Sequence, residues 1–133
     1  MRLQAGRQPA RRRSDVTRRV TLDGTMSPYE WSIDGRPWGR HQPIPVRSGQ
    51  RVELVMENRS MMAHPMHLHG HVFRVVQVGD HRFPGAVRDT VHVPPMARIA
   101  IAFDAGEAAR WMFHCHHMPH LATGMMTEVM VEG

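Results

Sequence analysis

Apolar residues in this chain recur at every second position, in short runs cut by Gly, Pro and Asp. Between Arg51 and Asn58, Val52, Leu54 and Met56 alternate with other neighbours; between Ala97 and Phe103, Ile99, Ile101 and Phe103 do the same. A period of two puts such residues on one face of an extended strand, where a helix would need a period near 3.6. Further strand candidates are Val20–Leu22, Tyr29–Ile33, Val72–Val78, Asp89–Val93, Arg110–His114 and Met125–Val131. Asp23-Gly24 and Asp34-Gly35 read as turns. Pro37, Pro43 and Pro45 leave residues 36–49 as loop with at most an edge strand. Val72–Val78 is apolar enough to be covered on both sides. The expectation is all-β: a sandwich or barrel of about eight short strands with no long helix. No internal repeat is visible, and periodicity does not give the strand order.

Length and charge narrow the function classes. The 133 residues make one domain, with 41% hydrophobic content to fill a core. No apolar run approaches the roughly 20 residues of a membrane span. A single cysteine, Cys115, excludes an internal disulfide framework. The net charge of +5 is uneven: all 17 basic residues are Arg, and seven lie within residues 1–19 beside one acid, Asp15. The remaining 10 Arg face 11 acids, so the rest of the chain carries 10 − 11 = −1. Residues 1–16 are therefore expected to be a basic tail or linker remnant and residues 17–133 the domain. A nucleic-acid partner would want Arg spread over a folded face, and none is expected. Arg11-Arg12-Arg13 hints at twin-arginine export, but no apolar stretch follows it, so no signal peptide is expected in this chain.

The unusual residues are 11 His and 12 Met. Eight of the histidines fall in two segments, His64-Pro65-Met66-His67-Leu68-His69-Gly70-His71 and His114-Cys115-His116-His117-Met118-Pro119-His120. On an extended chain His67 and His69 share a face. In His114-Cys115-His116 both imidazoles face one side and the thiol the other. One tripeptide can thus touch two metal sites. On the thiol side, Cys115, His120 and Met125 are spaced to close a loop around one ion, and His64 would complete two imidazoles, a thiolate and a weak axial thioether. That donor set is the blue-copper electron-transfer site. On the other side, His67, His69, His114 and His116 offer four nitrogens without a carboxylate, which suits copper or zinc rather than magnesium or calcium.

At these residues the sequence resembles the multicopper oxidases, a family that includes laccases, ascorbate oxidase, bilirubin oxidase and bacterial copper-resistance oxidases. HPMHLHGH and HCHHMPHLATGM look like the two copper motifs of its C-terminal cupredoxin domain, which implies a cupredoxin-like Greek-key β-sandwich of about eight strands. Tyr29–Gly35 and Arg88–Val91 look like the copper-resistance branch. The resemblance implies that His64, Cys115 and His120 bind type 1 copper, with Met125 axial. It implies that His67 serves type 2 copper and that His69, His114 and His116 serve the type 3 pair. Electrons would enter at type 1 copper from a phenol or metal ion. They would pass through Cys115 and the flanking His114 and His116, the catalytic set, to a trinuclear cluster that reduces O2 to water.

The family's cluster takes eight histidines, four of them from an N-terminal domain. His41, His71, His81, His92 and His117 form no further His-x-His pair outside the two segments. Half the cluster is expected from an N-terminal cupredoxin domain or a second copy, and the chain alone is not expected to complete O2 reduction. Pro119 stands where some bacterial members carry an acid, so no proton relay is expected there. Localisation would be periplasmic or secreted, by resemblance. His71 and His117 read as supporting or solvent-facing residues, His41, His81 and His92 as ordinary loop or strand-end histidines, and Asp89 and Glu128 as structural. Met61, Met62, Met66, Met118 and Met126 read as core filler, the alternative being weak Cu(I) docking. Two rival readings are a stand-alone mononuclear blue-copper protein, which leaves four imidazoles unneeded, and a zinc or cupin-type enzyme, which lacks a nearby carboxylate.

Overall fold

The computed structural model describes residues 13–26, 29–116 and 124–133. Among these the strands are β1 (Val16–Met26), β2 (Tyr29–Ile33), β3 (Ile44–Arg47), β4 (Arg51–Asn58), β5 (His64–Leu68) and β6 (Phe73–Val78). They continue as β7 (His81–Arg82), β8 (Val87–Arg88), β9 (Thr90–Val93), β10 (Arg98–Asp104), β11 (Ala109–Cys115) and β12 (Met126–Glu132). There is no helix among the described residues. One sheet has the order β2-β1-β4-β10-β6-β7, with β8 beside β6; the other has the order β3-β12-β11-β5-β9. Their apolar faces meet in one core that includes Leu22, Trp31, Leu54, Met56, Met66, Leu68, Phe73, Ile101, Phe103 and Phe113.

The two-sheet, all-β expectation holds, with twelve described strands instead of about eight. The excess comes largely from β5, inside the first histidine segment, and from the two-residue β7 and β8. Residues 36–49 supply only β3, at a sheet edge as their prolines require. At Asp34-Gly35 both residues have positive φ, 55° and 74°, and the chain reverses between Ile33 and Arg36. That is the primed turn suited to strand twist.

Two readings need correction. Asp23-Gly24 is not a turn: β1 runs through it to Met26. Gly24 lies opposite Trp31 in the β1–β2 ladder, and a Cβ there would stand 2.2 Å from the indole ring. The glycine makes room for a buried aromatic. Nor is β6 covered on both sides; only Phe73 is buried in it. Its outer face, at Arg74 and Val76, borders an open hollow and not a second layer. Strands buried on both faces are β4, held between β1 in parallel and β10 in antiparallel pairing, and β10 itself.

Polar side chains close the outer face of β4. The nearly fully buried Arg51 donates to Asp104, with Nε 2.8 Å from Oδ1. Arg82 grips Glu53 through both terminal nitrogens, at 2.9 and 2.8 Å. Those bonds, and the Arg82 charge, hold the Glu53 carboxyl below its ordinary 4.5 despite opposing desolvation. A carboxylate depressed on folding adds stability above the unfolded value, and that stability is lost as pH falls through the folded value. Because Arg82 is half exposed, the pair contributes about 1 kcal/mol. Glu53→Gln is expected to lose that amount in urea unfolding near pH 7 and nothing near pH 3. An equal loss at both would remove the carboxylate as the cause.

Candidate metal centre

Strands β5 and β11 are neighbours, and their register sets the site: Phe113 faces Leu68, His114 faces His67 and Cys115 faces Met66. Alternation then sorts the side chains. Along β5, His64, Met66 and Leu68 turn into the core while Pro65 and His67 turn away. Cys115 and His64 are both fully buried, with Sγ 3.8 Å from Nδ1. Met125 joins them through its backbone: the Cys115 N–H donates to its carbonyl at 3.1 Å, and its side chain is buried. Gly124 permits this approach. It has φ 120°, and a Cβ would lie 2.5 Å from the Trp31 carbonyl and 2.7 Å from Pro37. Trp31 also packs its ring edge-on to His64, 5.2 Å between centroids.

The opposite face of the same strands carries four imidazoles. Ring centroids lie 4.8 Å apart for His67 and His69, 5.0 Å for His69 and His114, 5.7 Å for His67 and His114, and 5.8 Å for His67 and His116. Backbone carbonyls fix two of the rings. The Nδ1–H of His67 donates to the Asp89 carbonyl at 2.8 Å, and the Nδ1–H of His114 donates to the Cys115 carbonyl at 2.9 Å. A carbonyl only accepts, so both rings keep the Nε2 lone pair. The Nε2 atoms of His69 and His114 lie 2.9 Å apart, the His69 N–H donating. Burial and then the neighbouring His114, His67 and His116 push the His69 pKa down. That direction favours the neutral ring, the form a metal ligand takes.

Gly70, in the turn after β5, has φ 72°, its Cα beneath the Trp111 ring where a Cβ would come within 2.4 Å. The turn brings His71 back against the domain. Its Nδ1–H donates to the His69 carbonyl at 2.9 Å, and its Nε2 accepts from the Gly106 N–H at 3.1 Å. Both ring nitrogens are used, and His71 braces the backbone of His69.

Among the described residues no three His, Cys, Asp or Glu side chains close tightly around one point. The donors come as facing pairs, His64 with Cys115 and His69 with His114, with His67 and His116 alongside. His120, expected as a type 1 ligand, lies outside the described residues together with His117, Met118 and Pro119. A buried thiol facing an imidazole, with a buried methionine hydrogen-bonded to it through the backbone, and a carboxylate-free imidazole set fit copper by donor chemistry. Met66 is core filler as expected, whereas Met61 is 80% exposed. His41 is more engaged than its sequence shows, bonded to Glu128 at 2.9 Å and stacked on Trp38. A hollow of about 700 Å³ on the outer face of the first sheet, lined by Arg51, Glu53, Arg74, Arg82 and Phe83, touches none of the candidate ligands. Sequence reasoning missed Asn58, Ser60 and Thr90 around the histidines, since no motif distinguishes them from loop and strand-end residues.

Two stacked sheets of this order define a cupredoxin-type domain. The sequence profile described as Multicopper oxidase matches residues 11–133. Multicopper oxidase MmcO of Mycobacterium tuberculosis is 42% identical over 110 residues, covering 83% of this chain and 21% of that protein. Copper resistance protein A of Pseudomonas syringae pv. tomato is 35% identical over 127 residues, 96% of this chain and 20% of that protein. The McoA multicopper oxidase of Aquifex aeolicus superposes with a TM-score of 0.75 at 26% identity, covering 100% of this chain and 31% of that one. A Campylobacter jejuni multicopper oxidase shares the fold, with a TM-score of 0.82 at 18% identity over 93% of this chain and 31% of that one. The chain belongs to the multicopper oxidase family, whose members are copper-dependent oxidoreductases. It spans about a fifth of the length of these curated relatives.

Proposed function

We propose that this chain is the C-terminal-type copper domain of a multicopper oxidase, holding a type 1 site and half of a trinuclear cluster. The observation that carries the reading is the opposed placement on β11: Cys115 faces buried His64, and His114 faces the imidazoles of β5. His64, Cys115, His120 and Met125 would hold one ion; His67, His69, His114 and His116 would share others. Copper bound there supplies one-electron redox chemistry, drawing on a phenol or metal ion as reductant and O2 as acceptor.

The chain's own residues position that chemistry. Cys115 sits between His114 and His116 in sequence, so a short covalent path joins the thiol face to the imidazole face. The hydrophobic core excludes water from the thiol side. The imidazole side would be half of the eight-histidine set that the family uses, and His41 and His71 are not available to complete it, their ring nitrogens being committed within the domain. The missing nitrogens would come from an N-terminal cupredoxin domain or a second copy, and the location would be periplasmic or secreted.

Titrating the purified chain with copper, with visible and EPR spectra, tests this. About one copper per chain with an intense blue thiolate band is the expected result. About four per chain with coupled copper signatures would mean that self-association completes the cluster. No blue band at any ratio would overturn the type 1 assignment.

A further inference from the structure

We propose that Asn58 and Ser60 are positioning residues that lock His64 in the tautomer protonated at Nε2 and so present its Nδ1 to Cys115. The tautomer is a property of the metal-free chain; its consequence for copper rests on the functional reading above.

The directions of the hydrogen bonds follow from what each atom can do. Asn58 ends β4 and is buried, with its Nδ2 facing three backbone carbonyls: Met62 at 2.8 Å, Pro94 at 2.9 Å and Val93 at 3.2 Å. Carbonyls only accept, so the amide nitrogen must be the atom there, and the flipped amide is excluded. Oδ1 then points at Ser60, 2.9 Å from its backbone N and 2.7 Å from its Oγ. An amide oxygen cannot donate, so the single Ser60 hydroxyl proton goes to it. The other carbonyl within reach, Met62 at 3.1 Å, would draw the proton away from His64 as well.

Ser60 Oγ also lies 2.8 Å from His64 Nε2. With its proton spent on Asn58, the hydroxyl meets the imidazole as an acceptor. His64 Nε2 must therefore carry a hydrogen, and Nδ1, 3.8 Å from Cys115 Sγ, keeps its lone pair. Asn58, Ser60 and His64 are all buried, so bulk water does not compete for these bonds. Through Asn58 the ring is tied to the end of β9 and to the loop between β4 and β5. A ligand imidazole whose distal N–H is held by a fixed acceptor is oriented and made more basic.

Long-range 1H–15N NMR of the 15N-labelled, metal-free chain reads the tautomer directly. His64 is expected to be protonated at Nε2. In Ser60→Ala it should become a mixture of tautomers, with copper(I) affinity about tenfold weaker or more. Ser60→Thr, which keeps the hydroxyl, should restore both. Amide spectra of each variant report whether it is folded. A wild-type His64 protonated at Nδ1, or a Ser60→Ala chain that is folded and unchanged in tautomer, would overturn the proposal. A chain with the expected tautomer that binds no copper would instead sink the functional reading and leave the positioning intact.

Discussion

Cys115→Ala is expected to abolish the intense blue absorption completely while leaving the chain folded. The thiol sits within the shared core, 3.8 Å from His64 Nδ1, and is the one soft anionic donor in the set. Without it the remaining imidazole and thioether cannot generate a thiolate charge-transfer band, and they lose the donor that favours copper(I). The stability cost is small, about 1 kcal/mol, because a buried free cysteine packs as a small hydrophobe and Ala leaves only a minor void. The imidazoles of His67, His69, His114 and His116 point to the other face and, as half of a ligand set, should not replace the lost ion, so bound copper should fall from about one per chain toward none. Visible spectroscopy of the copper-loaded variant decides it. A surviving blue band would show that Cys115 is not the ligand.

Phe113→Ala should do the reverse, damaging the fold first and the site as a result. Phe113 is fully buried two residues before Cys115, opposite Leu68 on β5 and Thr127 on β12. Deleting such a ring costs about 3–5 kcal/mol. That is a large share of the roughly 5–15 kcal/mol a domain of this kind possesses. Thermal unfolding of the metal-free chain should show Tm lower by about 10 °C or more. Copper uptake at 37 °C and the blue band should fall with it, since β5 and β11 lose their common packing. A loss under about 1 kcal/mol would mean that this residue is not wedged between the sheets. Together the two variants separate a donor from a support in one strand.

Much of the site is legible in the amino-acid sequence. The split of His114-Cys115-His116 onto two faces follows from strand geometry alone, and so does the shared face of His67 and His69. The alternation of β4 and β10 places their core residues correctly. Local rules fail where a neighbour overrides them. Asp23-Gly24 has the composition of a turn, yet the glycine serves the indole of Trp31 across the ladder. Val72–Val78 has the composition of a central strand, yet its outer face borders an open hollow. Asn58 and Ser60 have ordinary sequence surroundings, and only their burial against His64 gives their hydrogen bonds a direction.

By itself the sequence determined the all-β class, the donor types and the face on which each donor of an extended segment stands. Those are local properties, fixed by a side-chain period of two and by the chemistry of sulfur and imidazole. Only the tertiary structure decided that β5 lies against β11, bringing His64 to Cys115 across 51 positions and His69 to His114 across 45. Pairing at that separation is chosen by which arrangement buries both apolar faces at once, and no short window of sequence contains that information.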